Sequence, residues 1–357
     1  MFRCKPDFKA AQDRVNAFWA CEETDRPLAF MHYRKPGAPR FPKKTYATFE
    51  ERWLDLEYRA DETAHDLEST VFLAESMPVA FPNLGPEIFS AWAGCPYNFG
   101  ETTAWSEPCV RDWEADAPKA VVDWNHPLFK ATEEFTRLLI ERGRDSFIVG
   151  LTDFHPAGDH LAALRDPAEL AMDLIERPDA VKAKLAASYA EYFAVYDHFA
   201  AMVKAAGMPI SSWLPLTSES TMYIPSNDFS CMISPEMFEE FFLPGIVEEC
   251  RHYGHSIYHL DGPNALRHLD ALLAIPELDA IQWVPGAGHE EVAQWLGVYK
   301  KVLAAGKSVV VYPTAAELPL LMENLPARGV CLDLYRVKSA EEAEAVMKLI
   351  EKWPRTR

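Results

Sequence analysis

His259 and Asp261 stand two residues apart in YHLDGPNALRHL, at the end of the β-branched and aromatic run HSIYHLD (255–261). Side chains two apart on a strand share a face, so an imidazole and a carboxylate would project together where the strand ends. Three chemistries fit that pair. Both groups can ligate a divalent metal, and a third ligand must then come from elsewhere, with Glu219, Asp153 and His155 as candidates and Glu219 completing the set considered. Without a metal, Asp261 could orient His259 as a general base or bind a donor group of a ligand. Asp261 also precedes a helical pattern, where its charge would favour the helix N-terminus. Cap and site roles are compatible.

Other strand ends add residues of the same kind. Asp153 and His155 lie in DFHPAGDH, followed by Trp213 and then Glu219, Tyr223, Asn227 and Asp228 in one long loop. Tyr258 adjoins His259, while Gln282 and Trp283 end another run, Tyr312 a further one, and His32, Tyr33 and Arg34 the first. The set mixes aromatics with carboxylates and histidines and holds few positive charges. Such a pocket suits a neutral or cationic organic ligand, because aromatic faces and carboxylates favour ammonium groups. Each residue has a plainer role as well: Trp213, Tyr258 and Trp283 could pack an interior, Asn227-Asp228 could form a turn, and His155 could fix a loop. No Walker loop, GxGxxG or GxSxG elbow is present.

The elements that must position these groups alternate along the chain. Eight β-like runs occur: RPLAFMHY (26–33), STVFLA (69–74), SFIVGLTD (146–153), PISSWLP (209–215), HSIYHLD (255–261), DAIQWVP (279–285), SVVVYP (308–313) and GVCLDLY (329–335). Most are continuous apolar runs, as in strands buried on both faces. Helical patterns lie between them, clearest at 179–206, 234–253 and 340–353, with Ser234 before a proline and Ser339 before a Glu as start signals. In the first, Leu185, Tyr189, Tyr192, Phe193, Tyr196 and Phe199 make a core stripe. Eight β/α alternations predict one (β/α)8 barrel spanning 1–357, whose site lies at the C-terminal strand ends. Residues 82–125 and 216–233 exceed a minimal barrel and read as long inserted loops that serve binding.

The net charge of −19 argues against sequence-independent nucleic-acid binding and against adsorption to anionic lipid. No uncharged run is long enough to span a bilayer, and MFRCKPDFKAAQDRVNAFW lacks a signal-like apolar core, so a soluble cytoplasmic protein is expected. A homodimer is a common outcome for such enzymes. The seven cysteines are scattered without CxxC spacing, which predicts neither a disulfide framework nor a four-cysteine zinc site. Most read as small buried hydrophobes.

Four collinear passages resemble the uroporphyrinogen decarboxylase superfamily, which includes the cobalamin-dependent methyltransferases. DRPLAFMHYRKPGAPR is similar to its N-terminal strand and substrate loop. GDHLAALRDPAELAMDLIERPDAV resembles its LRG-type segment, and SNDFSCMISPEMFEEFFLPGI its loop and helix before the fifth strand. YHLDGPNALRHLDALLAIPELDAIQW falls where the methyltransferases carry His-x-Cys followed by Gly. The resemblance implies a distorted (β/α)8 barrel with an N-terminal extension.

On function, the resemblance offers two branches. Decarboxylases hold a polycarboxylate tetrapyrrole with arginines and an aspartate. Here Arg34 and Arg40 lie in the first loop, the FSDIL-type motif is missing, and Asp66 and Glu75 are the nearest stand-ins. Methyltransferases bind zinc through His-x-Cys and a later Cys. His259 matches the His, but Asp261 replaces the Cys and Cys331 lies inside the last strand run, which leaves an oxygen-rich site for zinc or another divalent ion. Zinc-free members move a methyl group from a small methylated compound to a corrinoid protein, and these passages are also similar to proteins associated with methylamine corrinoid systems. The resemblance therefore implies a methyltransferase for a small methylated amine or ether, with a corrinoid supplied by a partner. Trp213, Tyr258, Trp283 and Tyr312 would wall the substrate, and Asp261 and Asp228 would meet its polar end. The alternatives are a cofactor-independent decarboxylase or lyase, and a non-catalytic small-molecule binder.

Overall fold

The computed structural model describes residues 2–116, 120–335 and 337–354. Its strands are β1 (Leu28–Arg34), β2 (Thr70–Ala74), β3 (Val79–Ala80), β4 (Tyr97–Phe99), β5 (Ala104–Ser106), β6 (Ile148–Val149), β7 (Met222–Tyr223), β8 (His255–Asp261), β9 (Ala280–Val284), β10 (Ser308–Val311) and β11 (Val330–Asp333). One seven-stranded sheet has the order β2-β1-β11-β10-β9-β8-β7; β3 and β6 form a separate parallel pair, and β4 and β5 a hairpin. The large sheet is parallel except at its edge, where β2 pairs antiparallel with β1.

The fold is thus mixed α/β with a mostly parallel sheet, and among the described residues its ladder does not close into a ring. Three expected barrel strands account for the difference, the first being 146–153, which is a strand only at Ile148–Val149 and pairs with β3 outside the large sheet. Residues 69–74 become the antiparallel edge strand β2. Residues 209–215 form no strand, only a bridge between Ile210 and Ser218. Prolines explain the shortness of this region. Pro78 and Pro82 bracket β3, and Pro209 and Pro215 bracket the 209–215 run, each removing a backbone donor. What remains is a few single links: Gly150 N–H donates to Ala80 O (2.7 Å) and Leu151 N–H to Ser211 O (2.8 Å).

Alternation in β8–β11 sorts the side chains into two layers. Tyr258, Leu260, Ile281, Trp283, Val309, Val311, Val330 and Leu332 belong to one apolar cluster with the flanking helices. Ile257, Ala280, Val310 and Cys331 belong to the other, with Leu28 and Phe30 of β1. The register pairs His259 with Gln282 and Asp261 with Val284, so the polar residues at these strand ends share the second face.

Helices form where their signals predict, and the longest bridges the two clusters. Pro178–Ala205 buries Val181, Leu185, Tyr189, Tyr192, Tyr196, Phe199 and Val203 along one stripe. Ser234 accepts from Met237 N–H (3.3 Å) and Ser339 from Glu342 N–H (3.2 Å), each capping its helix. The 234–253 helix is not uniform. Phe238–Phe242 is a π-helical turn before Leu243–His252, and Pro244, which cannot donate back to the preceding turn, accounts for it. Among the described residues no helix is long and apolar enough to cross a membrane.

Candidate functional site

His259 and Asp261 project from the end of β8, and the loop after β7 brings Asp228 to them. The link is direct: His259 N–H donates to Pro225 O (2.9 Å), and Ser226 bridges to His259 in parallel register. The loop is anchored on its far side by Asp159, in the first turn of helix Gly158–Arg165. Its two carboxylate oxygens accept from Asp228 N–H (2.9 Å) and Phe229 N–H (2.8 Å). Gly158 permits that approach, since a Cβ there would lie 2.3 Å from Asn227 Oδ1. Burial, then the charge of Asp228, pushes the Asp159 carboxyl up to about 6 against those two N–H bonds.

The orientation of His259 is fixed from behind. Its Nδ1 lies 2.8 Å from Gln282 Oε1, and Gln282 Nε2 donates to the Tyr312 hydroxyl. An amide oxygen can only accept, so Nδ1 carries a proton and the ring is held with Nε2 turned into the site. That Nε2 faces Asp228 Oδ1 at 3.9 Å, and one ligand atom from each of Asp228, His259 and Asp261 lies within 4.8 Å of the others. Burial and the nearby Asp228 raise the Asp261 carboxyl above its usual range, with His259 opposing. An imidazole with one nitrogen held from behind and the other facing two mutually repelling carboxylates fits a divalent cation. The donor set is oxygen-rich, unlike a thiolate zinc centre.

These groups open into a cavity of about 710 Å³, lined among others by Glu87, Asp153, His155, Asp159, Asp166, Trp213, Asp228, Phe229, Met232 and His259. Five of these are carboxylic residues, and no Lys or Arg lines the cavity among the described residues. Trp213 stands edge-on to the His259 ring, with centroids 5.4 Å apart, and its Nε1 is buried without a partner. His155 Nε2 bonds Asp153 Oδ1 at 2.8 Å, leaving a buried Nδ1 unpartnered. Burial disfavours the charged imidazole, but the Asp153 bond and charge, with Asp159 and Glu249, outweigh it and push His155 up to about 9. A second cavity of about 530 Å³ lies on the other side of Trp213, with His32, Asp66 and Asp333 in its wall.

The residues singled out in the sequence therefore separate. Asp153, His155, Trp213, Asp228 and His259 line one cavity, Asp261 joins them at the carboxylate pair, and Gln282 and Tyr312 stand behind His259. Asn227 is buried behind the loop, its amide unpartnered, and does not line the cavity. Tyr258 and Trp283 are corrections. Both lie on the opposite strand face, 1% and 0% exposed, and Trp283 packs against Trp295 (5.0 Å). Placing His259 and Gln282 inward forces their chain neighbours outward.

Glu219 is a second correction. It is exposed and precedes Met222, which pairs with His255, so it sits at the opposite end of β8 from Asp261. Arg34 lines neither cavity and instead pairs with Asp66 (2.9 Å) and Pro39 O. Glu75 is held by Arg26 in a buried two-pronged ion pair (2.8 Å twice). Sequence reasoning reached Asp159 within DFHPAGDH but gave it no role, and it passed over Glu87 and Asp166. For Asp159 the signal was its place one residue into a helix after a Gly.

No protein-family model matches the sequence, and no curated protein does. Among solved structures, a methyltransferase from Methanosarcina mazei is similar in fold, with a TM-score of 0.58 over 96% of this chain and 98% of that one, at 12% sequence identity. The likeness extends over essentially the whole chain and concerns the fold.

Proposed function

We propose that the protein is a methyltransferase on a (β/α)8-type frame, taking a methyl group from a small methylated amine or ether and passing it to a corrinoid carried by a partner protein. The observation that carries this reading is the cavity lining: five carboxylic residues, aromatic walls and no Lys or Arg among the described residues. A methylated ammonium gains from carboxylates and from the Trp213 and Phe229 faces. A polycarboxylate would meet like charge throughout, so the decarboxylase reading draws no support from this lining.

Each residue has a role in that reaction. Trp213 and Phe229 enclose the methyl groups, and Asp228 and Asp159 hold the cationic end. His155, charged through neutral pH, can deliver the proton on its free Nδ1 to the departing heteroatom while Asp153 holds the other nitrogen. His259 Nε2, Asp228 and Asp261 would hold a divalent ion, zinc or another. With an ether donor such an ion would supply Lewis acidity toward the oxygen, whereas an ammonium nitrogen has no lone pair to offer it and would meet the carboxylates directly. A corrinoid on a partner protein would supply the Co(I) nucleophile for the methyl group. The fold likeness to a methyltransferase supports the frame.

Ligand selectivity tests the reading. Calorimetric titration with methylamines, tetramethylammonium and a tricarboxylate should show binding of the ammonium compounds only, weakened several-fold in Trp213→Leu and Asp228→Asn. Tighter binding of the tricarboxylate, or no effect of either substitution, would overturn it.

A further inference from the structure

Cys95 and Cys109 are fourteen residues apart in sequence, yet their Sγ atoms lie 3.5 Å from each other. The hairpin β4–β5 brings them together. Tyr97 pairs with Ser106 and Phe99 with Ala104, Glu107 N–H then donates to Pro96 O (2.9 Å), and the two cysteines follow at the base. This base is docked on helix Gly158–Arg165. Cys109 N–H and Val110 N–H both donate to Leu164 O (2.9 and 2.8 Å), and Cys95 Sγ donates to Ala163 O at 3.6 Å. Ser106, Pro108 and Ala163 line the 710 Å³ cavity, so the sulfur pair sits directly behind its wall.

We propose that Cys95 and Cys109 are a reversible redox dithiol, oxidised by a peroxide to a disulfide that staples the hairpin base behind the cavity wall. The two sulfurs divide the work by exposure. Cys95 is buried, whereas Cys109 is half-buried and is the one an oxidant reaches. When the Cys95 S–H turns from Ala163 O to the Cys109 sulfur 3.5 Å away, it stabilises the Cys109 thiolate and lowers that thiol below its usual range, against burial and the charge of Asp116. Cys109 thiolate attacks one peroxide oxygen, the O–O bond breaks, and sulfenic acid and hydroxide form. The Cys95 sulfur then attacks the Cys109 sulfur, its proton leaving with the departing hydroxide as water. Two thiols are oxidised to one disulfide while hydrogen peroxide is reduced to two waters.

Closing from 3.5 Å to a bond of about 2.05 Å is a short movement at the base of a hairpin. It removes the Cys95 hydrogen that Ala163 O accepts, so the cavity wall loses that tie as the hairpin gains a covalent one. This inference does not depend on the methyltransferase reading.

The test is peroxide titration of the native full chain, followed by alkylation and peptide mass spectrometry. The expected product has lost two hydrogens, carries a 95–109 cross-linked peptide, leaves the other five cysteines alkylatable, and reverts with dithiothreitol. Cys109→Ala should abolish the cross-link, and Cys95→Ala should leave a dimedone-trappable sulfenic acid on Cys109. The proposal is overturned if peroxide leaves all seven thiols alkylatable, if Cys109 overoxidises without a cross-link, or if the first disulfide joins another pair. The wild-type measurement decides by itself, so a misfolded Cys95 variant would not obscure the answer.

Discussion

Gln282 offers a sharp test of how the His259 site is built, because it touches none of the proposed ligands except through His259. Gln282 is 3% exposed, accepts from His259 Nδ1 at 2.8 Å and donates to Tyr312. Gln282→Leu keeps the volume and removes both bonds. The imidazole then has two ring orientations and two tautomers, of which only the native combination aims the Nε2 lone pair at Asp228 and Asp261. Leaving a buried donor unpaired costs about 1–3 kcal/mol. Loss of the group behind a metal-bound histidine typically costs about 10–100-fold in affinity, or about 1.4–2.7 kcal/mol. The two scales agree. Zinc affinity measured by chelator competition should therefore fall by about 10–100-fold in Gln282→Leu. Gln282→Glu should match or exceed wild type, because a carboxylate accepts more strongly from Nδ1. Glu219→Gln, at the far end of the strand, should change nothing. Equal weakening by Leu and Glu at position 282, or no change with Leu, would refute the reasoning.

Three further predictions concern the frame. Glu75→Ala strands the buried Arg26 charge and should destabilise the fold by about 3–5 kcal/mol in urea unfolding while leaving ammonium binding intact. His155, raised from 6.5 to about 9 in the folded state, contributes stability that is complete below pH 6.5 and lost as the pH rises through 9. Unfolding midpoints of wild type should fall across that window and those of His155→Gln should not; parallel profiles would count against the charged pair. Gly245→Ala would set a Cβ 2.0 Å from the Tyr189 ring and should cost on the order of 1–3 kcal/mol in the same assay.

The second half of the sheet was readable because β9–β11 are nearly continuous apolar runs, as in strands covered on both faces, and β8 keeps Ile257, Tyr258 and Leu260 between its polar residues. The first half was harder. STVFLA has the composition of an interior strand, yet its antiparallel edge position is decided by tertiary pairing with β1. Prolines at 209 and 215 mark a run that cannot keep a ladder. At the site, the two-residue spacing correctly put His259 and Asp261 on one face. The same rule, applied to Tyr258 and Trp283, would have turned them outward. Asp228 could be suspected from its loop, but its meeting with His259 depends on Asp159, which anchors the loop from 69 residues away. The contact between Cys95 and Cys109 likewise appears only once the hairpin is formed.

Methyl transfer at this cavity can be followed in one reconstituted reaction. The purified chain is mixed with a Co(I) corrinoid protein and a panel of methylated amines, ethers and betaines, and methyl-Co(III) is followed by its visible spectrum. Methyl-Co(III) is expected with at least one small methylated amine or ether, at a rate lowered by ten-fold or more in Asp228→Asn, equivalent to about 1.4 kcal/mol of lost transition-state stabilisation. No methyl-Co(III) from any donor, or the same rate in the variant, would contradict it.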